Sequence, residues 1–248
     1  MPKDWRGDIV FSENVAIFRG YVGDNNAHSH WASQITIALS GKIEFEASAG
    51  LMSSDAVYFS SKTEHRLLSG FVCSIYFDPL HDAIPKSLNE NTQDGWAALS
   101  RDQLPDALRT IDANTNLREL VNSAPLSSPN TTTSSDDRLQ KVIQEIKTKL
   151  SEGTDVDRDT LAKLINLSPT RFSHWFVERT GVPLRSYKKW LKLRTAMNAM
   201  LDGKNPMEAA MLAGFSDLAH MSREFSDSFS LTYLDAQKAW EHAQKNQQ

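Results

Sequence analysis

Leu161 to Val182, LAKLINLSPTRFSHWFVERTGV, is followed by a second stretch of the same design, Ala209 to Leu231, AAMLAGFSDLAHMSREFSDSFSL. Ala162, Leu164, Leu167 and Ser168 align with Ala210, Leu212, Phe215 and Ser216 at an offset of 48, and one extra residue then brings Phe176 opposite Phe225 at an offset of 49. In each copy a short apolar-periodic helix ends at a turn residue, Asn166 or Gly214. A serine, Ser168 or Ser216, then stands where it can cap a second helix with Phe at its inward positions. This is the pattern of a helix-turn-helix, whose second helix can enter a DNA major groove.

Between the copies, Pro183 to Leu201 reads as a connecting helix, opened by a proline suited to a first turn and stopped by Gly203. At about 1.5 Å per residue it spans roughly 28 Å, close to the roughly 34 Å between successive major grooves on one face of B-DNA. One chain could therefore read two grooves. Leu and Phe at helical spacing also suit an all-helical bundle with no ligand. Duplication of the whole unit about a connecting helix argues against that plainer reading.

If Phe172, Trp175 and Phe176 face inward in the first recognition helix, Thr170, Arg171, Ser173 and His174 stay open to DNA. In the second, Met221, Phe225 and Phe229 face inward and leave Leu218, His220, Ser222 and Arg223. Of these, Arg223 is the strong guanine reader, while His174 is short and its charge depends on pH.

Residues LAKLINLSPTRFSHWFVERTGVPLRSYKKWLKLR and then NPMEAAMLAGFSDLAHMSREFSDSF resemble the DNA-binding domain of AraC-type transcription regulators. The likeness covers the last hundred or so residues, including Ala210, Gly214-Phe215-Ser216, Ser222-Arg223, Phe225 and Phe229. It implies base-facing roles for Thr170, Ser173 and His174, and for Leu218, Ala219, Ser222 and Arg223. The sequence departs from the family where Phe-Gly followed by Pro is replaced by Phe229-Ser230 and then Tyr233, which predicts a differently shaped exit from the last helix.

At 248 residues the chain suits two domains, each large enough to bury its own core. No window approaches 18 apolar residues and the opening MPKDWRGDIVF carries no apolar run, so neither a signal peptide nor a membrane span is expected. A single cysteine, Cys73, allows no internal disulfide and fits a reducing, cytoplasmic location. It lies in FVCSIYF, a strand pattern, and reads as a small core residue. Residues 137 to 248 hold 17 basic against 14 acidic side chains, whereas residues 1 to 136 hold 10 against 17. The acidic half is poorly suited to touch DNA.

Candidate strands run over Val15 to Tyr21, Gln34 to Leu39, Lys42 to Ala47, Ala56 to Phe59 and Phe71 to Phe77, with Ser40-Gly41 as a hairpin turn. Short strands of this kind predict a small barrel or jelly roll. Within it, His28-Ser-His30-Trp-Ala-Ser-Gln34 followed by Gly41 resembles the first cupin motif with Gln in place of Glu, and His65 stands as the histidine of a degraded second motif. Three imidazoles could ligate Zn, Fe, Ni or Mn, with Gln34 a weak fourth donor through its carbonyl. The same histidines could instead line a pocket for a small-molecule effector. Trp31, Phe45, Tyr58, Phe59 and Tyr76 are candidate apolar walls. No cofactor is required by the sequence.

Residues 84 to 122 turn helical, with Leu104, Leu108, Ile111, Leu117, Leu120 and Val121 at three- or four-residue spacing. They either cover the barrel or, as the family resemblance implies, pair two subunits in a homodimer. Residues 123 to 136 read as a flexible Ser/Thr/Pro linker. Beyond it Leu139, Val142, Ile143, Ile146 and Leu150 mark an amphipathic helix behind the first helix-turn-helix. On the connecting helix Arg185, Lys188, Lys189 and Lys192 form a stripe that could follow phosphates or simply be solvated, and Arg194 sits on the apolar face and needs a partner.

The expected architecture is α+β in two domains. Residues 1–122 form a cupin-like barrel with flanking helices, residues 123–136 a linker, and residues 137–248 an all-α domain with two helix-turn-helix units on a connecting helix. The expected function is a sequence-specific transcription regulator that binds double-stranded DNA, responds to a small effector or metal in the barrel, and admits RNA polymerase as a protein partner. Two alternatives stand beside it: a cupin metalloenzyme using His28, His30, Gln34 and His65, and a dimeric DNA-binding protein that senses nothing.

Overall fold

Alternating β-branched and aromatic residues build a seven-stranded antiparallel sheet in the first half of the chain. Its strands are β1 (Arg6–Phe11), β2 (Val15–Val22), β3 (Ser33–Ala47), β4 (Gly50–Ser54), β5 (Ala56–Phe59), β6 (Arg66–Phe77) and β7 (Trp96–Leu99). The order across the sheet is β1-β2-β6-β3-β5-β7, with β4 paired to β3. This computed structural model describes residues 5–23, 25–81, 83–127 and 136–229, with Tyr233, Leu234 and Gln237. The chain divides into two compact units, residues 1–128 with 225–248, and residues 129–224.

The hairpin expected at Ser40-Gly41 is absent. Instead β3 runs unbroken for 15 residues and pairs with β6 on both sides of that point. Gly41, at φ 64°, sits in a stretch where the register shifts between Ala38 and Ser40 and again between Ser40 and Glu44. The glycine therefore serves a bulge, which bends a long strand without ending it. The tight connection falls later, where Ala47 pairs with Gly50.

Period-two alternation sorts β3 and β6 into two faces. Ile35, Ile37, Cys73, Ile75 and Phe77 join one apolar cluster, while Ala38, Phe45, Leu67 and Val72 join another together with Phe59 of β5. Cys73 is fully buried, and burial pushes its thiol up to about 12, which makes it an inert packing residue.

The stretch expected to be helical from 84 to 122 is only partly so. Helices α1 (Ala83–Asn89), α2 (Asp106–Arg109) and α3 (Leu117–Val121) are interrupted by strand β7, whose WAAL pairs along the otherwise open edge of β5. Leu104, Leu108, Ile111, Leu117 and Val121 are all buried in the Ile35–Ile75 cluster. Their apolar face is thus spent covering the sheet. A further turn, α4 (Ala124–Ser127), carries Leu126 into the same core, so ordered packing extends past residue 122. The rest of the expected linker, residues 128–135, lies outside the described residues.

In the second unit, α5 (Asp137–Ser151) is capped by Asp136, and Leu139, Val142, Ile143, Ile146 and Leu150 are the residues it buries. Then come α6 (Arg158–Leu164), α7 (Pro169–Thr180), α8 (Leu184–Leu201), α9 (Pro206–Leu212) and α10 (Leu218–Phe229). Helices α6–α7 and α9–α10 are the two copies of the repeat. Asn166 and Gly214 hold left-handed φ of 58° and 74°, the conformation a tight helix-helix turn requires. Matching backbone bonds close both turns, from Leu167 N–H to Ala162 O at 2.9 Å and from Phe215 N–H to Ala210 O at 3.0 Å.

The capping expected of both serines holds for one. Ser168 Oγ accepts from Arg171 N–H, but in the second copy Asp217 accepts from His220 N–H at 2.6 Å, and Ser216 bonds to Asp217 and His220 instead. Asp217 is 49 residues after Ser168, so the extra residue of the second copy lies before the cap. A carboxylate there suits the positive end of the helix. Both recognition helices are 12 residues long, and Phe172, Phe176, Met221 and Phe225 are all buried. Trp175, expected inward, is only half-buried. The exit at Ser230, Leu231 and Thr232 lies outside the described residues.

Candidate nucleic-acid interface and metal centre

Because α7 and α10 align residue for residue at an offset of 49, Thr170 corresponds to Ala219, Arg171 to His220, Ser173 to Ser222 and His174 to Arg223. Thr170, Arg171, His174, Ala219 and Arg223 are exposed, and Ser173, Leu218, His220 and Ser222 are half-buried. Ser173 Oγ donates to Pro169 O at 3.2 Å and keeps its acceptor capacity for a ligand. His220 is engaged within the protein: Nδ1 lies 3.1 Å from Ser216 Oγ, Nε2 lies 3.7 Å from Glu224 Oε1, and its ring meets Phe215 edge-on. It is therefore less free to reach a base than sequence spacing alone implies.

The basic stripe on α8 also has a different use. Lys188 and Lys192 both pair with Asp155, and Lys189 pairs with Glu224. Three of the four cations of the stripe, which could have followed phosphates or been simply solvated, are thus held by carboxylates of the same unit. Arg185 remains exposed, and Arg194 is half-buried on the same helix.

In the first unit the three motif histidines come together. Backbone bonds join His28 N–H to His65 O at 3.0 Å and His65 N–H to His28 O at 2.9 Å, which sets the two residues side by side. Lys62 N–H donates to His30 O at 2.8 Å and holds the same loop. The ring centroids of His28, His30 and His65 lie 4.5 to 5.6 Å apart, and one ligand atom from each falls within 4.8 Å of the others. Phe59 stacks on His65 at 4.0 Å, and Tyr76 meets His30 edge-on at 5.5 Å. Of the other expected walls, Phe45 lies in the cluster on that face, Tyr58 packs on the opposite face, and Trp31 carries the Lys62 ammonium over its ring.

Each Nδ1 points at a backbone carbonyl: Asn26 O at 3.1 Å for His28, Ala32 O at 2.6 Å for His30, and Thr63 O at 2.9 Å for His65. A carbonyl only accepts, so each Nδ1 carries a proton. Burial, reinforced by the neighbouring rings, lowers His28 to about 4 and places His65 well below its ordinary value; burial likewise lowers His30. All three are therefore neutral at pH 7, and each Nε2 presents a lone pair. This is the tautomer a metal needs, with the carbonyls orienting the rings from behind.

One amide atom of Gln34 lies 3.0 Å from His30 Nε2 and 3.1 Å from His65 Nε2, and the other lies 2.8 Å from Thr36 Oγ1. An oxygen facing both rings would require two buried imidazolium ions side by side. Amide orientation is assigned from its partners, and here they favour the reverse. The NH2 then donates to both Nε2 atoms, and the oxygen accepts from Thr36, whose hydroxyl lies 2.9 Å from Ser74 Oγ. Sequence reasoning misses Thr36 and Ser74, although each is a polar residue flanked by apolar neighbours, in ITIAL and FVCSIYF. This donor set, neutral imidazoles without a carboxylate, would suit Zn, Fe or Ni better than the harder Mn, and His28, His30 and His65 could hold such an ion with Gln34 beside them.

A helix-turn-helix domain family matches residues 161–238. None of the curated protein sequences compared with the chain matches it. Among solved structures, ToxT from Vibrio cholerae is similar at a TM-score of 0.53 and 10% identity, covering 89% of this chain and 96% of that one. ToxT from Vibrio cholerae O395 is similar at 0.51 and 11%, covering 89% and 96%. An RmlC-like cupin from Shewanella frigidimarina aligns with 31% of this chain and 78% of its own at 10% identity and a TM-score of 0.28. No helix among the described residues is long and apolar enough to cross a membrane.

Proposed function

We propose that the protein is a transcription regulator that grips two successive major grooves of duplex DNA through the AraC-type helix-turn-helix domain that residues 161–238 match. The observation that carries this reading is the repeat: two equal recognition helices, two left-handed turns at matching positions, and one continuous 18-residue helix between them. Thr170, Arg171, Ser173 and His174 face one groove, and Leu218, Ala219, Ser222 and Arg223 the next, with His220 at the margin. Selection of tight-binding duplexes from a random pool should enrich a bipartite motif with centres about one helical turn, roughly 10 base pairs, apart. A single short motif, or no enrichment, would refute the two-headed reading. Arg223→Ala should cost about 1 to 3 kcal/mol at the selected site and relax one base-pair position, whereas an equal loss on all sequences would assign Arg223 to phosphate.

The sheet unit is the regulatory half of this proposal. A divalent transition metal on His28, His30 and His65 would bias the populations of the regulator's states. A metalloenzyme reading is weaker. Next to the rings stand an amide, a hydroxyl and a phenol, and burial raises Tyr76 above its ordinary value, so these groups orient and exclude water.

A further inference from the structure

Asp155 lies in the segment between α5 and α6, just before Asp157, which caps the first helix-turn-helix through Thr160 N–H at 2.7 Å. One of its carboxylate oxygens meets Lys188 Nζ, and the other meets Lys192 Nζ at 2.9 Å. Lys188 Nζ also donates to Val156 O at 2.7 Å, so the segment is bound to α8 twice. Lys192 Nζ reaches the other way as well, donating to Gly214 O at 3.1 Å, the left-handed residue in the turn of the second helix-turn-helix. Its stem passes over that turn: a Cβ at Gly214 would lie 3.6 Å from Lys192 Cε. A single ammonium thus ties the start of one DNA-binding unit to the turn of the other, across the middle of the helix that joins them.

These ties are better placed than ordinary surface ion pairs. The Lys188 and Lys192 side chains are only 15% and 16% exposed, and each ammonium makes a second bond to a backbone carbonyl. Partial burial would raise the Asp155 carboxyl, but the two ammoniums outweigh it and hold it below the ordinary aspartate value. Although Asp155 itself is 43% exposed, the two ammoniums are consequently engaged by partners within the protein rather than offered to phosphate.

We propose that Asp155 and Lys192 are positioning residues for bipartite DNA recognition, a clamp that fixes the offset between the two recognition helices and so sets the spacing of the half-sites the protein accepts. The proposal rests on the two-groove reading above. Rigid coupling of two heads makes the second binding event intramolecular at one geometry and penalises all others. Loosening the clamp should leave each head able to bind while widening the range of spacings tolerated.

The test uses the full chain and the duplex selected on the wild-type protein, together with duplexes carrying one or two extra base pairs between the half-sites. Removing Asp155 also adds a net positive charge and frees two ammoniums, which raises affinity for any DNA. The readout is therefore the ratio of affinities for selected and lengthened duplexes, measured at one salt concentration. The wild type should lose about tenfold or more on the lengthened duplexes, and Asp155→Asn should lose only about two- to threefold, as expected for a coupling of order 1 kcal/mol. Lys192→Met keeps the aliphatic stem over Gly214 and removes only the ammonium, so it provides a second variant if the first folds poorly. It should show the same reduced ratio. Wild-type discrimination retained in full by both folded variants would overturn the clamp and leave two-groove binding intact. A wild type insensitive to spacing would overturn both.

Discussion

Purified without chelator, the full chain should carry close to one equivalent of a divalent transition metal, and His30→Ala should carry essentially none. The three Nε2 lone pairs are preorganised by bonds from Nδ1 to Asn26 O, Ala32 O and Thr63 O, so binding requires little rearrangement of the rings. A methyl group cannot replace an imidazole ligand, and two remaining neutral nitrogens with an amide make a poor site. Loss of even an outer partner of a metal ligand costs about 10- to 100-fold in affinity, so loss of a ligand should exceed that. Metal content by mass spectrometry of the native protein checks it. A wild type free of metal after growth with Zn, Fe, Ni and Mn would return the three histidines to the role of pocket lining for an organic effector. The same variant should leave the recognition residues 170–223, which lie in the other unit, intact and lose only the metal-dependent part of DNA binding.

Acidification should destabilise the metal-free sheet unit by several kcal/mol between pH 7 and pH 4. The sign follows from the histidines. Their folded values lie below 6.5, so across this window the unfolded chain binds protons that the folded site refuses, and stability falls as pH falls. His28 is lowered to about 4, which removes about 1.4 kcal/mol per pH unit below 6.5, or roughly 2 kcal/mol at pH 5. His30 and His65 act in the same direction. Denaturant midpoints of the chelator-treated protein at pH 7, 6 and 5 measure the slope, and His28→Asn should flatten it by the His28 share. Equal stability at pH 7 and pH 5 would show that the rings are not held neutral by burial.

The helical half is legible because its signals are local. Caps, turn residues and apolar periodicity all sit within a few residues of the structure they dictate, and the duplication states each of them twice. The misread cap shows the limit: Ser216 and Asp217 are both good cap residues, and only the placement of the inserted residue decides between them. In the sheet unit the decisive information is non-local. Gly41 reads as a turn until β6 is seen pairing on both sides of it, and WAAL reads as part of a helical stretch until the open edge of β5 is in place. The histidines can be grouped through a resemblance, but the Gln34–Thr36–Ser74 chain depends on the register of β3 against β6, which places Thr36 opposite Ser74. The α8 lysines are misjudged from sequence for a similar reason, because Asp155 lies more than thirty residues away along the chain.

Footprinting of the full chain on its selected duplex tests the central claim most directly. Two protected major-groove segments on one face of the DNA, their centres about one helical turn apart, are the predicted result, with affinity falling steeply as salt rises. Protection confined to one groove at every protein concentration would contradict it.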